Sequence, residues 1–218
     1  MTSVKGWIIS LIATVAFCAA TATAGPVTIQ FNSALGTNLG GVYTGIYYGT
    51  TNGVQTDFIC DDFGDEIVGG QNWQANVGTN YPVSNTVQYG ASTSTVPGLT
   101  TKQDYNAIAY LAEQIFANPT GPEVNYDAWA IWELNSQAAA NDVLNFDPAD
   151  QAGVSSALNA ALANDDHFNG SLYVYTPVPQ GAGQEFLSRT PEPASVFLLG
   201  SALLWLSWGL RKRFSLGR

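Results

Sequence analysis

The chain has 218 residues, 17 acidic against seven basic, one histidine and a formal net charge of −10. Nucleic acid is excluded as a partner, because such binding rests on Lys and Arg neutralising phosphates. With a single histidine, multi-histidine zinc sites are excluded too, and His167 sits in Asn164-Asp165-Asp166-His167 at the end of a predicted helix, where a cation offsets the dipole.

In chain order, residues 1–24 read as a secretory signal peptide. Lys5 supplies the positive start, and Trp7 to Ala20 is an apolar stretch broken only by Ser10 and Thr14. Ala22-Thr23-Ala24 is a small-x-small cleavage site before Gly25. Cys18 follows Phe17, where lipidation requires a small residue, so this thiol leaves with the peptide.

Residues 25–189 are then an exported domain, long enough for one core. They hold 16 of the 17 acids, and their only cations are Lys102 and Arg189, so 16 against two leaves a net charge of −14 there. Such a surface keeps the chain soluble and suits divalent cations or neutral glycans rather than anions.

The first half reads as β. Val27 to Phe31 alternates apolar and polar residues, which predicts a strand, and Asn38 to Gly41 is turn-like. Val42 to Tyr48 is a second strand with Val42, Thr44, Ile46 and Tyr48 on one face. Asn52-Gly53 then turns the chain into a returning strand from Val54 to Phe63. A Gly-Gly turn follows at Gly69-Gly70, then a strand over Asn72 to Val77 and a weak one around Thr86 to Tyr89.

The second half turns helical. Thr101 reads as an N-cap with Asp104 three residues on, and the helical spacing of Tyr105, Ile108, Ala112 and Ile115 runs until Asn118-Pro119. A second helix spans about Tyr126 to Ala139. Asp147-Pro148 opens a third, to about Ala163. Strands return at Ser171 to Tyr175 and Gln184 to Leu187. The expected class is α+β, an antiparallel β-rich domain with about three helices, plus a signal helix before it and a transmembrane helix after it.

That last helix comes from residues 190–218. Ala194 to Leu210 is 17 residues without a charge, about 25 Å of helix, near the lower end of the roughly 17–25 residues a span needs. Arg211, Lys212 and Arg213 follow as a membrane stop held on the cytoplasmic side, and Trp205 and Trp208 lie near that interface. Ahead of the span stands Pro191-Glu192-Pro193. Motif, short helix and Arg-rich end, in that order, resemble the PEP-CTERM sorting signal of Gram-negative envelope and exported proteins. The resemblance implies handling by an exosortase, which removes the tail near the motif. It also implies a setting of cell surface, biofilm and extracellular polysaccharide.

Chemistry-bearing residues are few. No Gly-x-Ser-x-Gly, P-loop or dinucleotide fingerprint is present, and nothing asks for a cofactor. A carboxylate pair among sixteen acids leaves a glycan hydrolase as the alternative to a non-enzymatic adhesive role. Cys60 is the sole cysteine of the exported domain, so it has no internal disulfide partner, and the carboxylates beside it raise its pKa. Alternation puts it with Phe58 on one face, as a small core residue. Asp61, Asp62, Asp65 and Glu66 offer oxygens for a Ca²⁺ ion, although their spacing fits no EF-hand and solvated charge is the plainer reading. Cys60 and Ala130-Ile131-Trp132 together are similar to the thioester domains of bacterial surface adhesins, in which an early-strand cysteine bonds a glutamine just before an Ala-aliphatic-Trp segment. Here the glutamine's position holds Ala128, so the resemblance implies a shared fold without the covalent bond.

Overall fold

The computed structural model describes residues 25–80, 83, 86–89, 93–166 and 172–189. The expected signal peptide, His167, the expected sorting motif Pro191-Glu192-Pro193, the expected span 194–210 and the expected stop Arg211-Lys212-Arg213 lie outside them. Among the described residues no helix is long and apolar enough to cross a membrane.

Among the described residues, eight strands and four helices are arranged as α+β: β1 (Val27–Ala34), β2 (Thr37–Leu39), β3 (Val42–Thr44), β4 (Ile46–Thr51), β5 (Val54–Cys60), β6 (Asn72–Thr79), then α1 (Thr101–Ala117), α2 (Val124–Asn135), α3 (Gln137–Val143), α4 (Pro148–Leu162), and finally β7 (Leu172–Val178) and β8 (Phe186–Arg189). Six strands close an antiparallel barrel in the order β1-β4-β5-β8-β7-β6, and β2-β3 is a separate hairpin. Closure removes most of the exposed strand edge that an open sheet would present.

Several expected elements are shifted, each for a visible reason. The strand expected over Val42 to Tyr48 breaks at Gly45, whose φ of +91° a side chain would resist. Val42 and Thr44 therefore join β2, while Ile46 and Tyr48 join the barrel. The expected second helix is two, because Ser136 is extended (φ −131°, ψ 112°) and its hydroxyl accepts from Ala139 N–H, capping α3. The α1 cap is Thr100 rather than Thr101, with Gln103 completing a capping box. Asp147 and Pro148 start α4 as the sequence predicts. Thr86 to Tyr89 form no strand.

The described residues form two cores. The barrel interior holds Ile29, Phe31, Tyr47, Phe58, Cys60, Trp73 and Phe186, with Phe58 stacked on Phe186 at 5.0 Å. The helices cover the outer wall of the barrel. Ile46, Ile59, Leu187 and Val174 face Tyr105, Ile108 and Leu111 of α1 and the almost wholly buried α2. Trp129 of α2 ties the pieces together: its rings meet Phe63, Trp132 and Phe146 at 4.8–5.3 Å, and its Nε1 donates to Leu39 O at 3.1 Å.

Candidate functional site

The residues that carry the chemistry meet where β5 ends against the helices. Strand alternation sends Cys60 into the barrel and Asp61 outward, toward α1. Register then decides who faces Asp61. Cys60 pairs with Phe186, and Asp61 N–H donates to Glu185 O, so Asp61 and Glu185 stand opposite one another across two strands. Tyr175 pairs with Phe186 on the other side, which brings Thr176 of β7 beside Glu185. Asp61, Glu185 and Thr176 thus form a cross-strand row on the helix-facing wall.

Directly opposed like charges are destabilising in any sheet, and burial makes them prohibitive. Asp61 is 1 % and Glu185 0 % exposed. The row resolves this with one proton. Glu185 is the carboxylate: burial raises its pKa, and the bonds it accepts from the Thr176 and Tyr105 hydroxyls and from Gln88 N–H at 2.9 Å offset part of that rise. Asp61 receives no hydrogen bond from any described residue. Burial, then the charge of Glu185, then that of Asp62, raise its pKa well above the usual carboxylate range, so it is the neutral partner, able to donate to Glu185.

Around this row the chain is stitched tightly. Tyr105 also accepts Tyr89 N–H at 3.0 Å. Asp62, 1 % exposed, accepts from Gly64 N–H at 2.9 Å, Asp65 N–H at 3.3 Å and Gln88 Nε2 at 3.1 Å. The Cys60 thiol donates to Asp62 O at 3.1 Å, and Trp132 Nε1 donates to Cys60 O at 2.9 Å. Burial first, then the Asp62 charge, push that thiol well above its ordinary pKa, leaving little of the reactive thiolate.

Cys60 and Trp132, far apart in sequence, therefore do meet, and Ala128 is buried on the same helix. The expectation of solvated charge fails for Asp61 and Asp62. Register turns Asp61 into the barrel–helix junction, and the turn through Gly64 and Asp65, with Gln88, closes over Asp62. Asp65 is half-buried and Glu66 exposed, and among the described residues no group of three or more His, Cys, Asp or Glu is arranged to hold a metal ion. Sequence reasoning missed Glu185 as the residue facing Asp61 and Tyr105 as a donor to Glu185. An acid directly before the apolar Phe186-Leu187 was the available signal.

Among the described residues, surface hollows accompany this sealed junction. One, of about 730 Å³, lies between β5 and the end of β8 and is bordered by Tyr48, Gln55, Asp57, Phe116 and Arg189. Another, of about 380 Å³, lies between α2 and α4 and includes Glu123, Asp127 and Gly153. Burial, then the Glu123 charge, push the Asp127 carboxyl up to about 6.

No family model matches the chain, and no curated protein matches it. Among solved structures, the N-terminal thioester domain of fibronectin-binding protein SfbI from Streptococcus pyogenes aligns over 79 % of this chain and 97 % of that domain, with a TM-score of 0.49 and 13 % identity. A likeness at that level assigns neither family nor chemistry.

Proposed function

We propose that the chain is an exported, non-enzymatic surface or matrix protein, whose acidic domain is delivered through the secretion pathway and held at the envelope by its C-terminal helix. The observation that carries this reading is the order of residues 191–213: Pro191-Glu192-Pro193, seventeen uncharged residues, then Arg211-Lys212-Arg213. A PEP-CTERM signal of this kind makes an exosortase the processing partner and a polysaccharide-rich matrix the setting, with adhesion as the domain's role. The −14 charge of residues 25–189 fits a soluble exported domain and argues against anionic ligands. The closed junction around Cys60 supports a structural role for Asp61, Asp62 and Glu185, since a substrate has no route to groups 0–1 % exposed. Deleting residues 190–218 tests the reading. In cells without an exosortase, where the tail is kept, the truncated chain should be released to the medium while the full chain stays with the cells; equal retention of both would contradict it.

A second reading, a secreted glycan hydrolase, has one observation in its favour. Glu123 and Asp127 lie one helical turn apart in the same cleft, and the Asp127 pKa of about 6 suits a general acid. Turnover of a neutral glycan that both Glu123→Gln and Asp127→Asn abolish would establish it; no turnover would remove it.

A further inference from the structure

The barrel closes, but not along its whole height. The β4–β5 hairpin turns through Asn52 (φ 50°) and Gly53 (φ 79°), a two-residue loop that makes Thr51 and Val54 a hydrogen-bonded pair. Alternation then makes Gly49–Thr56 and Tyr47–Phe58 the next bonded pairs. Gln55, Asp57 and Ile59 therefore aim their N–H and C=O groups away from β4, toward β8. There, pairing covers only Ile59 with Leu187 and Cys60 with Phe186. Among the described residues, the main-chain groups of Gln55 and Asp57 meet no strand. The 730 Å³ hollow occupies this gap, with Gln55 and Asp57 on one bank, Ser188 and Arg189 on the other, and Tyr48 and Phe116 bordering it.

Of the devices that usually blunt such an edge, only one charged side chain, Asp57, is present. Val54 to Cys60 contains no Pro, no Lys and no register shift, and Val54 is 69 % exposed. Charge names the occupant. Asp57 is exposed on this edge, the domain carries −14, and among the described residues the one cation at the gap, Arg189, is occupied by Glu113 at 2.8 Å and by the Phe116 ring at 5.1 Å.

We infer that the gap between β5 and β8 is a strand-addition site, which takes an extended, positively charged peptide segment of a partner protein along Gln55 and Asp57. Main-chain bonds hold the peptide, and alternate side chains on it reach Asp57. The proposal goes beyond the surface reading and is independent of where the chain resides, since capture is measured in solution and retention on cells.

The test is amide hydrogen exchange by NMR on the full-length chain in detergent micelles. The probe is a heptapeptide of alternating lysine and valine. Its controls are a twin N-methylated at alternate amides and a twin with glutamate for lysine. At ten times its Kd, the lysine peptide should slow exchange at Gln55 and Asp57 about tenfold and leave Thr56 and Phe58, already bonded to β4, unchanged. Neither twin should do so. Gln55→Pro removes an N–H that β4 does not use, so the hairpin should persist, shown by a still-protected Thr56 amide, while capture is lost. No protection with the lysine peptide, or equal protection with the N-methylated twin or in Gln55→Pro, would overturn the assignment. Protection by a neutral glucan oligosaccharide in place of the peptide would also overturn it and give the gap to sugar.

Discussion

Replacing Asp104 with asparagine separates the cost of a buried carboxylate from every other effect of pH. Asp104 lies in the first turn of α1, is 0 % exposed, accepts only a 3.3 Å bond from Ser94 Oγ, and leaves Oδ2 without a partner. Burial pushes its pKa from 3.8 up to about 7. The folded chain therefore keeps this proton where the unfolded chain has lost it, so stability is full below the unfolded pKa, declines as pH rises, and is lost above about 7. Roughly three pH units at about 1.4 kcal/mol each give a ceiling of about 4 kcal/mol. The N-terminal helix dipole favours the charged form by about 0.3–1 kcal/mol, which leaves a net of about 3. Asparagine has nearly the same shape and no proton to lose. Asp104→Asn should match the parent chain within about 0.5 kcal/mol at pH 4 and exceed it by about 3 kcal/mol at pH 8. Urea unfolding followed by tryptophan fluorescence reads both. A loss of stability at pH 8, or the same gain at both pH values, would refute the reasoning.

Three further outcomes follow from the same geometry. Tyr105→Phe strips a buried carboxylate of one donor and Tyr89 N–H of its acceptor, so unfolding free energy should fall by about 2–3 kcal/mol; a change under about 0.5 would contradict the role given to Glu185. Cys60 should resist iodoacetamide at pH 8 in the native chain and react once the chain is in urea, with no loss of ammonia from the intact mass because position 128 is alanine; alkylation of the native form would show the junction to be open. Arg189→Ala breaks a pair whose side chains are 50 % and 29 % exposed, so the stability change should stay within about 1 kcal/mol and shrink with salt, and a larger loss would mean the pair is not the surface contact described.

Local signals in the sequence located the elements well where one residue type settles the geometry. Asn52-Gly53 gave a hairpin and Asp147-Pro148 a helix start, because the positive φ of that turn and the first helical position each select those residues. The split at Ser136 was illegible for the opposite reason: serine is neutral enough within a helix that only the packing around it decides. Alternation placed Cys60 beside Phe58 in the core, as found. It gave no access to the Asp61–Glu185 row, which depends on β5 pairing with β8 across more than a hundred residues. A two-residue period says which face a side chain takes, not which strand lies next to it. The Gln55–Asp57 edge was hidden for the same reason.

Intact mass of the chain recovered from fractionated cells tests the central claim most directly. A chain that begins at Gly25, is found with the envelope or outside the cell, and has lost its tail near Pro191-Glu192-Pro193 is the result expected. All 218 residues, unprocessed and dissolved in the cytosol, would contradict it.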